Sequence, residues 1–186
     1  MFYSRLCVIL ILAVNLINAL PVPPTSDLER RVTDAPRSSN PKDWPSEEKL
    51  KESLKTEPNR AEFWTGTTKD HTGTPISAQH SADAHAKANG GTTIDMALHD
   101  GGHKMPEWTD PAGEAKWVEA SKAYAHGASG DVHAHVGQDV RPGSTYFQKE
   151  KPILENNPKV TSITEHAHGQ PAVPPVKVHE KKVSKL

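Results

Sequence analysis

The sequence predicts an α/β domain on a small open, mostly parallel sheet flanked by helices, and three observations predict it. Trp117, Ala120, Ser121, Tyr124 and Ala128 recur at helical spacing, so the chain from Lys116 onward makes a helix with one buried face. Val132, Ala134 and Val136 then alternate with His133 and His135, as in a strand packed on one side. A second strand, Val160 to Ile163, follows Asn156-Asn157-Pro158 and is expected beside the first and parallel to it, with a helical turn over Pro152 to Glu155 between them.

At the start of the chain, Arg5 precedes an apolar run from Leu6 to Leu16, and Ile17-Asn18-Ala19 offers a small-residue cleavage site. This is the pattern of a secretory signal peptide over residues 1–19, the run being shorter than the ~20 residues of a membrane span. The expected location is therefore secreted. Cys7, the only cysteine, lies inside that signal, so the processed chain forms no disulfide. Residues 20–56 read as a flexible leader rich in Pro, Ser, Asp and Arg that carries one short helix. In that helix Ser46 is the N-cap, Glu47 and Glu48 favour the first turn, and Leu50 and Leu54 share a face expected to pack on the domain. Arg30-Arg31 is either a dibasic processing site or a solvated charge cluster.

Residues 57–165 form the expected domain, and 166–186 read as a disordered tail of His, Pro and Lys. The tail ends in Ser184-Lys185-Leu186, a peroxisomal address, but a signal peptide acts first and diverts the chain before that address is read. Composition agrees with one modest core between loose ends: 34% hydrophobic residues and 16 prolines. A net charge of −1 with interspersed signs points away from nucleic acid and from anionic membranes as partners.

Within the domain, Glu62-Phe63-Trp64-Thr65-Gly66 ends a strand, with Phe63 and Trp64 pointing in different directions. Ser77 to Ala88 is a helix stopped by Asn89-Gly90-Gly91. Thr93 caps a second short helix, placing Asp95 near its positive end, where an acid complements the dipole. Trp108 follows a Gly-rich loop on a turn, an unusual place for an indole that stacks on nothing. Asp110-Pro111 caps the helix that carries Trp117, and Gly127 and Gly130 stop it. Beyond the His133 strand, the loop Arg141-Pro142-Gly143-Ser144-Thr145 leads to Tyr146, Phe147 and Glu150. An acid past a strand's carboxyl end, beside aromatics, is where open α/β sheets place ligand chemistry.

Four of these motifs, in this order, resemble the ADP-ribosyl cyclase/NAD glycohydrolase family. They are Phe63-Trp64-Thr65-Gly66, Thr92-Thr93-Ile94-Asp95, the Trp117-to-Ser121 helix with its following strand, and Ser144 six residues ahead of Glu150. The similarity covers roughly Glu62 to Thr164. It implies an ADP-ribosyl cyclase-like core with NAD or NADP as substrate, and no metal or organic cofactor. It further implies Glu150 as the catalytic acid, and Trp108 and Trp117 as the indoles flanking the nicotinamide. Ser121 touches ribose or phosphate, and Asp95 stands where the family has a pocket glutamate one methylene longer. The aromatic Phe147 completes the substrate-binding set. Thr145 stands where cyclising members have an aromatic and hydrolytic members threonine, which implies hydrolysis to nicotinamide and ADP-ribose with little cyclic product. The chain lacks the disulfides of animal members. It is also smaller, closer in size to bacterial toxin domains, so an unknown target cell or host protein is an open expectation.

Two other readings are kept: a catalytically inactive secreted binding protein on the same fold, and an ADP-ribosyltransferase toxin. The histidines at 99 and 103, at 133 and 135, and at 166 and 168 have no partnering cysteine and no HExxH motif. They are expected to be solvated, and no metal site is expected.

Overall fold

The computed structural model describes residues 44–104, 111–168 and 173–181. Strands β1 (Ala61–Thr65), β4 (Thr92–Thr93), β5 (Gly130–Val136), β6 (Val160–Ala167) and β7 (Val176–Glu180) form one sheet in the order β4-β1-β5-β6-β7. The first four are parallel, and β7 runs antiparallel along β6. The mostly parallel α/β sheet read from the sequence is thus what the chain forms. Strands β2 (Thr67–Lys69) and β3 (Pro75–Ser77) make a separate hairpin, its turn held by Asp70 Oδ1 accepting from the backbone of Thr72 and Thr74.

The helices begin and end where their capping chemistry dictates. Helix α1 (Glu47–Ser53) is capped by the Ser46 hydroxyl, which accepts from Lys49 N–H. Helix α2 (Gln79–Asn89) ends on Gly90 at φ 67°, a left-handed stop open to glycine at little cost. Helix α3 (Ile94–Asp100) starts from Thr93, whose side chain accepts from Met96 N–H. Helix α4 (Pro111–Gly127) precedes β5, and α5 (Lys151–Asn156) precedes β6.

Side-chain alternation gives the sheet two unlike faces. Phe63, Val132, Ala134 and Ile163 face the rings of Tyr124 and Tyr146, with Phe63 4.9 Å from Tyr124 and 6.4 Å from Tyr146 between ring centroids. Leu50, Leu54, Leu98 and Leu154 complete this core with no exposed surface, each contributing roughly 1.5–3 kcal/mol by burial. On the opposite face Glu62, His133, His135 and His166 lie in register and meet His85 of α2.

Three expectations are corrected here. The α1 helix is part of the core through Leu50 and Leu54, so the packed body starts before Glu57. The segment from His166 is not all tail: β6 continues to Ala167, and β7 pairs along it. Its pairing is by backbone, and Val176 and Val178 remain 54% and 37% exposed, which is why no apolar pattern announced the strand. The strand histidines are not solvated, since His135 is only 5% exposed. Period-2 spacing and the parallel register gather them on one face. The signal pattern with Cys7, Arg30-Arg31, Trp108, Asp110 and the terminal Ser184-Lys185-Leu186 lie outside the described residues. Among the described residues, no helix is long and apolar enough to cross a membrane.

Candidate active site

The candidate residues gather at the carboxyl edge of the parallel strands. At this edge β1 and β5 leave the sheet together: Gly137 N–H donates to Thr65 O at 2.8 Å, and Thr67 and Asp139 exchange two backbone bonds of 2.9 Å. A Cβ on Gly137 would stand 2.6 Å from Thr67 N, so only glycine lets the two exits approach so closely. The loop beyond is tied back by Ser144 Oγ and Thr65 Oγ1, 2.6 Å apart and both buried. It then enters a π-helical turn, Tyr146–Glu150, closed by Lys151 N–H donating to Tyr146 O. The wider turn faces both Tyr146 and Glu150 into the protein, and such turns recur at functional sites. Tyr146 is fixed by donating its hydroxyl to Glu165 Oε1 at 3.0 Å, an oxygen that Lys151 Nζ also binds at 2.9 Å.

Glu150 is 6% exposed, and its carboxyl meets the hydroxyl of Ser121 on α4. Burial pushes its pKa up to about 8; the Ser121 hydrogen bond pulls the other way, and the charge of Asp95 adds to the rise. Asp95, at the first turn of α3, accepts from Trp64 Nε1–H at 3.2 Å. Burial and the neighbouring Asp83 raise its pKa to about 7 against the Trp64 bond. Asp83 is itself raised by burial, its Oδ1 accepting from Thr93 Oγ1 at 2.9 Å. Glu150 and Asp95 therefore form a coupled pair poised to gain or lose a proton near neutrality, and ionising both at once is costly.

The other expected residues are distributed around this pair. Trp117 lies one turn before Ser121 on α4, half-buried and packed against the core. Thr145 is half-buried at the entrance to the π turn. Phe147 is 37% exposed on the outside of that turn, edge-on to Tyr146 at 5.0 Å, with Lys151 Nζ 5.4 Å from its ring. The structure thus brings Glu150, Ser121 and Asp95 together, leaves Phe147 at the surface, and does not describe Trp108. No protein-family model matches the sequence, and no curated protein matches it. Two solved structures are similar to it. One is Aplysia cyclase complexed with substrate NGD and product cGDPR, at 21% identity and TM-score 0.43 over 61% of this chain and 50% of that one. The other is ADP ribosyl cyclase complexed with N1-cIDPR, at 24% identity and TM-score 0.44 over 76% of this chain and 64% of that one. The chain therefore spans half of the first structure and less than two thirds of the second.

Sequence reasoning misses two features. It gives Trp64 only a structural place, yet the indole holds Asp95; nothing local to the motif signals that bond. It leaves Glu62 as one acid among several, yet Glu62 is 2% exposed and binds two imidazoles, His85 Nδ1 at 2.8 Å and His135 Nε2 at 3.1 Å. Burial raises its pKa, but the bonds to His135 and His85 prevail and hold it below the ordinary carboxylate range. A cavity of about 530 Å³ lined by Lys55, Arg60, Gly90 and Asp100 opens by the strand starts, at the other end of the sheet from Glu150.

Proposed function

We propose that this chain is a secreted NAD(P) glycohydrolase, cleaving the nicotinamide–ribose bond to nicotinamide and ADP-ribose with little cyclisation. One observation carries the reading: a buried glutamate beyond the strand ends is hydrogen-bonded to a serine hydroxyl and raised by the charge of a second carboxyl that is itself raised. The motifs that resemble the ADP-ribosyl cyclase/NAD glycohydrolase family fall on these same residues.

The chemistry follows from charge. The nicotinamide of NAD is a flat cation, which the paired carboxyls favour and which an indole face attracts by stacking and by its quadrupole. Trp117 supplies one such face on this reading, and the family resemblance assigns the other to Trp108. A bound cation drives the proton off Glu150 into solvent. The bond from C1 of the ribose to the ring nitrogen then breaks, its electron pair leaving with neutral nicotinamide. Positive charge spreads over C1 and the ring oxygen, and the Glu150 carboxylate stabilises it in a partly dry pocket, as in glycosidases. Water adds to C1 and releases its proton to bulk. Ser121 donates to the substrate or to Glu150, and the small Thr145 leaves room for that water. NAD is the substrate, and no step calls on a cofactor.

Purified protein incubated with NAD tests the reading. Nicotinamide and ADP-ribose should appear together, with cyclic ADP-ribose a minor product. Tryptophan quenching without turnover would favour the inactive binding protein, and labelled ADP-ribose on host protein would favour the transferase.

A further inference from the structure

On the face of the sheet turned away from the Tyr124 and Tyr146 core, four imidazoles pack on one another where aliphatic side chains would be the stabilising choice. The ring of His85 lies 5.0, 5.1 and 4.9 Å from those of His133, His135 and His166 between centroids. His135 stacks on His166 at 4.8 Å and 9°. His133 Nδ1 and His166 Nε2 point at each other across 2.9 Å, a gap that holds one proton between two nitrogens. Polar groups withdrawn from water need partners, and each neutral imidazole brings one donor and one acceptor. A cluster of this kind satisfies its converging lone pairs better with an ion than with itself.

We propose that His85, His133 and His166 form a three-histidine site for a divalent first-row transition ion, zinc in the first instance, with Glu62 as its outer-sphere carboxylate. The ligating atoms of these three side chains already lie within 4.8 Å of one another. Tetrahedral zinc–nitrogen bonds of about 2.0–2.1 Å place ligands roughly 3.4 Å apart, so small side-chain rotations close the site. Glu62, His85 and His135 form a second triple within the same 4.8 Å limit, but both Glu62 oxygens are committed to imidazoles. Accepting from His85 Nδ1–H, Glu62 fixes the tautomer whose Nε2 is bare, the arrangement by which outer carboxylates orient metal-bound histidines. Its other oxygen is braced by His135 Nε2, and the buried negative charge offsets that of the ion. Three protein ligands leave a fourth position for water.

The ion ties α2, β5 and β6 together, three elements distant in sequence, in a body with no cysteine among its described residues. It also stiffens the layer that leads to Asp95, since Trp64 lies in β1 close to the braced Glu62.

The test uses the full tag-free chain, dialysed against chelator and titrated with zinc alone. One zinc per chain should bind and raise Tm by roughly 8–16 °C at a thousandfold excess over Kd. Cobalt(II) in its place should give the visible bands of a tetrahedral ion. The His133→Ala/His166→Ala variant should lose binding while its circular dichroism shows it folded. Glu62→Gln should weaken binding about 10- to 100-fold with stoichiometry kept, and replacing the exposed His126 should change nothing. Wild-type protein that takes up no zinc, a double variant that still binds one, or an octahedral cobalt spectrum would overturn the proposal. Glu150→Gln should bind zinc as wild type does, so failure of the glycohydrolase reading leaves this result readable.

Discussion

The raised proton affinity of Glu150 gives the proposed reaction a specific dependence on pH. In free protein its pKa is about 8. The ionised fraction is then about one in a hundred at pH 6, one in ten at pH 7 and half at pH 8, so kcat/KM, which reports the free enzyme, should rise about fifty-fold over that span and then level. A glutamate at its ordinary value would give a flat profile over the same range. Asp95→Asn separates the causes. Removing the neighbouring negative charge takes away one contribution to the rise, so the midpoint should move to lower pH. The position of the midpoint is read, not the height of the plateau, because the amide introduced by this substitution also alters substrate contacts. Nicotinamide release followed by chromatography at NAD well below KM is the assay. A flat profile from pH 6 to 9, or a midpoint that moves up in the variant, would refute the electrostatic account of the site.

Ser121→Ala removes the hydrogen bond that favours the ionised acid, so the same midpoint should move up, opposite to the Asp95 variant. Stability should also depend on pH: native Glu150 (about 8) and Asp95 (about 7) keep protons that the unfolded chain has lost. Their contribution is full below their unfolded pKa values of 4.5 and 3.8 and disappears as pH rises through the native ones, by about 1.4 kcal/mol per unit for each group. Urea melts of ligand-free protein should show that loss between pH 5 and 8, and Glu150→Gln should flatten much of it. Gly137→Ala forces a Cβ to 2.6 Å from Thr67 N and should cost about 1–3 kcal/mol in the same melts while lowering activity through the displaced loop.

What the sequence makes legible here is what is local. Ser46 and Thr93 cap the helices expected of them, Gly90 ends α2, and the alternation from Val132 to Val136 is a strand beside a parallel neighbour. Glu150 and Ser121 meet because a helix face and a loop converge, and only the order of motifs hinted at that. Contacts set by register stayed hidden. The histidines at 135 and 166 stack because β5 and β6 align residue by residue, with His133 reaching His166 diagonally, and no periodicity within either strand reveals that alignment. β7 escaped notice because it contributes backbone bonds without an apolar face. The π turn escaped for another reason: one extra residue per turn rotates Glu150 inward, and no residue preference marks it.

Incubation of wild type and Glu150→Gln with NAD at pH 8, with nicotinamide and ADP-ribose quantified together, bears most directly on the buried acid. The account predicts equal release of both products by wild type and a loss of about a hundredfold or more in the isosteric variant, the scale seen when a group aimed at transition-state charge is removed. Equal turnover by the two proteins, or none by folded wild type, would contradict it.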